Sequence, residues 1–315
     1  MTQSRMLEPA RRTLRQLLTI AVSGFNLWLE HNAFMQAGAL AFFTIFSLAP
    51  TLIIAVTVIG VVLGQGAAQG EIVAQLQGAM GAEAASAIEQ AILMSRPQET
   101  GPLPTLIGIG AILIGATVVF GQLRYSMNLL WGVRPKPGRD RLAPFWQMAR
   151  TRLLALLVVL LIGLGLLLYF VAAIAIQALV NSVELSGPLQ ALQLDWLSSA
   201  AQSLAAVLIT ALFIAALFKV LPDVLLSWRD VLPGALVTAL LLTLGRYGIA
   251  LYLAETAIAS TYGAAASLLV ILFWVYFSAL LLLLGVALTR AELSVRNRPI
   301  VPRASAMRVV QQQVA

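Results

Sequence analysis

Cysteine is absent from the 315 residues, and histidine occurs once, at position 31. Without cysteine the chain can form no disulfide and offers no thiolate as a nucleophile or metal ligand. A single histidine cannot build the usual ligand set of a zinc site. The sequence also lacks a phosphate-binding loop, a GxSxG nucleophile elbow and a pair of carboxylates at helical spacing. We therefore expect no metal, no cofactor and no enzymatic activity.

Charge is also scarce, since charged residues make up 10% of the chain and hydrophobic residues 60%. The mean hydropathy of +0.91 lies far above the range of soluble proteins and indicates a polytopic membrane protein. A helix needs about 20 apolar residues to cross a bilayer. Six runs approach or exceed that length, at 38–64, 103–120, 153–180, 200–221, 231–253 and 263–288. The sequence thus predicts an all-α membrane protein with six transmembrane helices.

The basic residues are distributed unevenly between the two sides of this predicted bundle. Eighteen of the 20 Lys and Arg residues fall in segments on one side, Arg96 falls on the other, and Arg246 lies inside the fifth helix. Basic loops face the cytoplasm, so this bias predicts a bacterial inner-membrane protein with both termini inside. The same bias explains the basic pI without nucleic-acid binding. The sequence carries no signal for a particular oligomeric state.

These patterns divide the chain into three parts. Residues 1–37 are expected to form a cytoplasmic or interfacial segment, and residues 38–290 the transmembrane domain. A further helix is expected at about 71–95, on the outer surface of that domain. Residues 291–315 are expected to form a cytoplasmic tail. Ser227 and Asp230 are spaced as in a capping box at the start of the fifth helix, with Pro233 in its first turn.

Pro50 interrupts the first predicted crossing, because proline removes one helical hydrogen bond and clashes with the preceding turn. Thr44 and Ser47 lie near it at helical spacing and supply hydroxyl groups. Two interpretations are open. The proline either produces a packing kink or acts as a functional hinge.

Arg246 is a permanent charge within the fifth predicted helix, where a charge is costly unless it reaches water or a partner. It either extends toward the outer interface or lines an internal polar site as the counter-ion of an anionic group. Trp274 lies mid-helix in the sixth crossing, where it packs in the core or faces the same site. The substrate-binding hypothesis comprises Arg246, Thr243, Trp274, Ser278, Thr44 and Ser47.

A second basic group lies at the inner end of the second helix, where Arg124, Asn128 and Trp131 share a helical face. The loop that follows is rich in Arg and Lys and contains two prolines. It is either a solvated loop that fixes topology or a contact for lipid phosphate. The lipid-contact hypothesis comprises Arg124, Arg134, Lys136 and Arg139.

Four segments, at 37–53, 127–133, 221–242 and 262–285, resemble the YihY/BrkB family of bacterial inner-membrane proteins. The resemblance implies six helices with cytoplasmic termini. It also implies movement of a lipid or another anionic amphiphile across the membrane for the cell envelope. A scaffold for envelope integrity or serum resistance is the alternative, and a membrane enzyme the third choice. The ribonuclease label once given to members disagrees with the single histidine. The family's Gly-Ala-Glu-Leu is replaced here by Gly-Val-Ala-Leu at 285–288, with Glu292 further on.

Overall fold

The computed structural model describes residues 2–45, 70, 89, 118–136, 195–255 and 266–309, and the structural statements that follow concern these residues. They form helices, some of which are joined by short turns, together with one small pair of strands. The elements are α1 (Thr2–Glu30), α2 (Ala33–Ile45), α3 (118–131), β1 (Val133–Pro135), α4 (Asp195–Val220), α5 (Trp228–Glu255), α6 (Ala266–Val295) and β2 (Ala306–Arg308).

Two described helices are long and apolar enough to cross a membrane, over Trp228–Ile249 and Leu269–Val295. Shorter apolar helices cover Ala33–Ile45 and Ala206–Val220. The predicted crossing at 153–180 lies outside the described residues, as do most of 38–64 and 103–120. The predicted outer helix at 71–95 also lies outside them, except for Glu89, which is helical. A mostly helical structure is confirmed, and the count of six crossings stays a prediction.

The second predicted apolar run ends at 120, and α3 continues to 131, in agreement with the helical face predicted for Arg124, Asn128 and Trp131. Two other predicted details were wrong. The sixth ends at 288, but α6 continues to Val295, where Glu292 and Arg296 form an (i, i+4) ion pair of 2.5 Å. Pro233 lies in the second turn of α5 rather than the first.

The link between α1 and α2 is a turn of two residues. His31 Nδ1 lies 2.8 Å from the carbonyl oxygen of Leu27, to which it donates a hydrogen bond at the end of α1. Asn32 adopts a left-handed backbone conformation with φ 52°, as asparagine often does after a helix. The chain then re-enters a helix at once, since Gln36 N donates to Asn32 O at 3.1 Å.

Helices α5 and α6 approach each other most closely at two glycines. A Cβ atom added to Gly234 would lie 1.9 Å from Thr289 Oγ1, and one added to Gly285 would lie 1.8 Å from Thr238 Oγ1. Both threonines are fully buried and donate their hydroxyls to the carbonyls of the glycines four residues earlier, at 2.6 and 2.7 Å. Small residues at a helix interface permit such close packing in membranes. This contact explains why glycine and threonine, rather than leucine, occupy these positions.

Helix α1 also packs against α6. A Cβ atom at Gly24 would lie 2.7 Å from a methyl group of Leu288, and Trp28 Nε1 donates to Leu280 O at 3.1 Å. Several large apolar residues of α1 are exposed. They are Leu14, Leu17, Leu18, Val22, Phe25 and Leu29.

Strands β1 and β2 pair in antiparallel register, with Arg134 opposite Met307. The bonds from Lys136 N to Ser305 O and from Val309 N to Gly132 O flank the pair. Hydrogen-bonded and non-hydrogen-bonded pairs alternate along an antiparallel ladder. Pro135, which has no N–H, therefore lies at a position that needs no ladder bond. The paired strands were not foreseen, since the sequence suggested a solvated loop.

Candidate functional site

Asp223 is the centre of a buried polar cluster at the end of the bundle where α3 and α4 terminate. Asp223 is 2% exposed. Arg124 donates to both carboxylate oxygens, from Nη2 to Oδ1 at 2.6 Å and from Nε to Oδ2 at 3.2 Å. Asn128, one turn along α3, donates from Nδ2 to Oδ2 at 2.8 Å. A bidentate guanidinium and an amide therefore hold one carboxylate, the arrangement that makes a buried charge tolerable.

Asn128 also fixes the backbone of the turn between α4 and α5. Its Oδ1 accepts a hydrogen bond from Asp223 N at 2.8 Å. The amide side chain thus contacts both the main chain and the side chain of the same residue. This pairing sets the position of the Asp223 carboxylate relative to α3.

The tail segment, residues 298–309, lies across this cluster. Arg303 N donates to Asp223 O at 2.9 Å, and Leu225 N donates to Val301 O at 2.9 Å. The guanidinium of Arg303 donates to the carbonyls of Lys219 and Val220 at 3.0 and 3.3 Å. A cation at the final carbonyls of a helix complements both their unpaired acceptors and the helix dipole.

Two further bonds tie the tail segment and α6 to the same end. Arg298 Nη1 pairs with Asp230 Oδ1 at 2.5 Å. Arg290 Nη1 donates to Leu130 O near the end of α3. We call this end of the described helices, with its ion pairs and tail segment, the charged end.

A second polar cluster joins α2 to α3 one turn from the first. Gln36 Oε1 accepts hydrogen bonds from Gln122 Nε2 and Ser126 Oγ, both at 3.0 Å. Ser126 is fully buried. Helix α3 therefore has polar contacts on two sides, with α2 through Gln122 and Ser126 and with the α4–α5 turn through Arg124 and Asn128.

One half of the capping box predicted at the start of α5 is confirmed, namely the bond from the N–H of Ser227 to the side chain of Asp230. Asp230 Oδ2 accepts hydrogen bonds from Ser227 N at 2.9 Å and from Ser227 Oγ at 2.5 Å. The carboxylate lies at the positive end of the helix dipole, where a negative charge is favoured.

Of the proposed lipid contacts, Arg124 is engaged with Asp223, and its side chain remains 28% exposed. Arg134 and Lys136 are exposed on and beside β1. Arg139 lies outside the described residues. The lipid contact stays a prediction for all four.

The hydrogen bonds that the structure describes for the proposed substrate-binding residues join them to other residues of their own helices. Arg246 is exposed on α5 and donates from Nη2 to the hydroxyl of Tyr247 at 3.3 Å. Thr243 and Thr44 donate to the carbonyls four residues earlier, at 2.8 and 2.7 Å. Their substrate role stays a prediction. Trp274 and Ser278 are half-buried on α6, while Ser47 and Pro50 lie outside the described residues.

Sequence reasoning missed Asp223 and Gln36 as partners of α3. The available signal was the spacing of Arg124 and Asn128, whose shared face required an acceptor somewhere in the fold. Asp223 was the acidic residue beside Pro222 in the short α4–α5 turn. Among the described residues, no three His, Asp or Glu side chains are grouped as metal ligands.

Comparison with known proteins identifies the family. The sequence model of the family described as Virulence factor BrkB matches residues 25–308. A UPF0761 membrane protein of Stenotrophomonas maltophilia (strain K279a) is 28% identical over 282 residues, which cover 88% of this chain and 62% of the relative. One of Xanthomonas oryzae pv. oryzae (strain PXO99A) is 24% identical over 304 residues, or 95% of this chain and 67% of the relative.

The chain thus spans less than two thirds of the length of the Stenotrophomonas relative. No solved structure matches it. The resemblance seen in the sequence segments is confirmed by the match over most of the chain. The relatives are named membrane proteins, in agreement with the two long apolar helices. The chain belongs to the Virulence factor BrkB family of membrane proteins.

Proposed function

We propose that this protein moves an anionic lipid or amphiphile across the bacterial inner membrane, without an enzymatic step and without nucleic acid. Both termini lie in the cytoplasm in this proposal. Membrane lipids are its partners, and the charged end faces the cytoplasm. The observation that carries the proposal is the ion pair between Arg124 and Asp223 at that end.

The pair has the chemistry of an exchangeable anion site. Arg124 presents a planar fork of donors that fits a phosphate as well as a carboxylate. The Arg124 side chain is 28% exposed, whereas Asp223 is buried. An anionic headgroup that reaches this side chain competes with Asp223 for Arg124. Asn128 continues to donate to the released carboxylate, which lowers the cost of the exchange.

The polar contacts on both sides of α3 suggest which element moves. Once the headgroup holds Arg124, the two bonds of Asn128 to Asp223 remain between α3 and the α4–α5 turn. Their release frees α3 from this turn, while Gln122 and Ser126 keep α3 attached to α2. We therefore propose that α3 moves together with α2, and that the headgroup passes between α3 and the turn. Such a step is a shear between packed elements with two discrete arrangements.

A lipid-scrambling assay tests the proposal. The purified full-length chain is reconstituted into phosphatidylethanolamine and phosphatidylglycerol vesicles that contain a fluorescent phosphatidylglycerol. Dithionite bleaches the outer leaflet, so scrambling raises the bleached fraction above that of protein-free vesicles. We expect Arg124→Ala to lower the scrambling rate at least tenfold and Arg124→Lys to lower it less. Arg296→Ala, which breaks the ion pair of an exposed arginine elsewhere at the same end, is the matched control.

Bleaching by wild-type vesicles that equals the protein-free level would reject transport of this lipid class. A rate for Arg124→Ala equal to that of the wild type would reject the exchange site while leaving transport intact. Reconstitution is verified by the amount and sidedness of protein in each vesicle preparation, so that loss of insertion is not read as loss of activity.

A non-transporting scaffold for the envelope is the second candidate, and a different observation favours it. Every buried side-chain nitrogen or oxygen atom of the described residues has a hydrogen-bond partner. A fully satisfied polar interior is typical of a rigid structure. For a scaffold, Arg124→Ala should weaken envelope integrity in cells in proportion to its loss of thermal stability, with no scrambling in vesicles.

A further inference from the structure

The exposed face of α5 is apolar over a defined length. Between Asp230 and Gly245 its exposed residues are all leucine or valine. They are Leu232, Leu236, Val237, Leu240 and Leu244. A continuous apolar strip on a helix of spanning length is the surface that faces acyl chains in a membrane.

A cation–aromatic pair lies at each end of this strip. At the charged end, Lys219 Nζ lies 4.3 Å from the ring centroid of Trp228, whose side chain is 44% exposed. At the other end, the Arg246 guanidinium lies 5.1 Å from the ring centroid of Tyr247, which is 63% exposed. Exposed Trp and Tyr residues mark the two interfaces of a bilayer.

The distance between the two pairs fits the thickness of a membrane. At 1.5 Å per residue, Trp228 and Tyr247 lie about 28 Å apart along the helix axis. The hydrocarbon core of a bilayer is about 30 Å thick. If Trp228 lies at one interface, Arg246 and Tyr247 therefore lie at the depth of the phosphates in the opposite leaflet.

Arg246 has unused hydrogen-bonding capacity at that depth. A guanidinium carries five N–H donors, and among the described residues Tyr247 alone accepts one, at 3.3 Å. The side chain is exposed, and no acidic residue of the described part of the chain forms an ion pair with it. The unmatched positive charge is complementary to a phosphodiester, which accepts two parallel bonds from an arginine.

We propose that Arg246 and Tyr247 form a binding site for the phosphodiester of a membrane phospholipid in the leaflet opposite the charged end. Tyr247 supports the guanidinium from one side, through its ring and its hydroxyl group. The bound lipid is a resident of the bilayer that fixes the depth of α5. The inference does not depend on whether the protein moves lipids.

A measurement of how deep labels on α5 lie in the bilayer tests the position proposed for Arg246 and Tyr247. Because the chain has no cysteine, a single nitroxide label can be introduced at a chosen residue. Gly248 is suitable, since a Cβ atom there meets nothing within 4 Å. In full-length protein in phosphatidylethanolamine and phosphatidylglycerol vesicles, we expect the Gly248→Cys label near the phosphates and the Leu240→Cys label near the bilayer centre. A Gly248→Cys label as deep as Leu240→Cys would overturn the proposal.

Lipid retention tests the ligand. Native mass spectrometry of the detergent-released protein counts bound phosphatidylglycerol, with Leu244→Ala in the exposed apolar strip of α5 as the matched control. We expect Arg246→Ala to lower retention about tenfold, Arg246→Lys to lower it less, and a phosphate-free glycolipid of the same acyl chains not to be retained. Equal retention by Arg246→Ala and the wild type, or equal retention of the glycolipid, would overturn the proposal.

Discussion

At the scale of single residues, Asp223 is bonded to residues of two other elements, α3 and the tail segment. Its carboxylate accepts hydrogen bonds from Arg124 and Asn128, and its main chain is bonded to Asn128 and Arg303. Removal of one member of a buried ion pair leaves the other charge without its partner, which costs far more than the intact pair contributes. Substitution in this cluster should therefore lower the free energy of unfolding more than loss of the Arg296–Glu292 pair at the same end.

We expect Asp223→Ala to lower the free energy of unfolding by about 3 kcal/mol, because Arg124 and Asn128 both lose their acceptor. The measurement is thermal unfolding of the purified protein in nanodiscs. Arg296→Ala, which removes the (i, i+4) pair between an exposed arginine and Glu292, is the control and should cost about 0.5 kcal/mol or less. Equal melting temperatures for the two variants would show that Asp223 has no central role.

Local and long-range contacts also differ in whether the sequence alone predicts them. Ser227 and Asp230 could be paired in advance, because a capping box is a local pattern with fixed spacing. Arg124 and Asp223 are 99 residues apart, and no local rule connects them. The shared face of Arg124 and Asn128 could be predicted, but its acceptor depends on how the helices pack.

At the scale of elements, the crossing of α5 and α6 fixes the centre of the described structure. Gly234 faces Thr289, and Gly285 faces Thr238, so the same combination of small residues occurs on both helices. In a membrane, where lipid removes the hydrophobic drive for helix association, such close van der Waals contact holds helices together. The contact leaves no room for another methyl group at either glycine.

We expect Gly285→Ala to destabilise the protein by about 2 kcal/mol, because the new methyl group overlaps Thr238 and forces the helices apart. Gly248→Ala is the matched control in α5, since a Cβ atom there meets nothing within 4 Å. The control should be neutral or slightly stabilising, because alanine favours helix more than glycine does. Thermal unfolding of both variants in nanodiscs measures the difference, and a Gly285→Ala variant as stable as the control would contradict the crossing.

The pairing of β1 with β2 is the other contact between elements that distinguishes this structure. It attaches the tail segment to the end of α3. Three-residue strands have too little periodicity to be predicted from sequence. The long apolar helices α5 and α6 could be predicted, because an apolar run of spanning length in the sequence directly indicates a helix that can cross a membrane.

We expect the double variant Arg134→Cys/Met307→Cys to form a disulfide under mild oxidation, because these residues face each other directly in the register. The absence of native cysteine removes any competing bridge. Arg134→Cys/Val301→Cys is the control, since Val301 is exposed but bonded to Leu225 instead. Cleavage between the two sites followed by non-reducing electrophoresis reports the link, and similar yields in both variants would argue against the register.

At the scale of the whole molecule, the basic segments that the sequence assigned to one side are in contact. Arg124 follows the second predicted crossing and reaches Asp223 beyond the fourth, while Arg298 and Arg303 of the tail reach Asp230 and Asp223. Three segments far apart in sequence thus meet at the charged end. The side of the membrane on which this end lies stays a prediction.

The orientation itself is the broadest prediction. With eighteen basic residues on one side and one on the other, the charged end should lie in the cytoplasm. Single cysteines at Ser4, Gly138 and Ser305 should therefore be protected from an impermeant thiol reagent in intact cells and react after permeabilisation. Cysteines at Gln69, Ser186 and Ser260 should react in intact cells. Labelling of Gly138→Cys from outside would reverse the orientation, and would place the Arg124–Asp223 pair on the wrong side to receive a lipid from the cytoplasm.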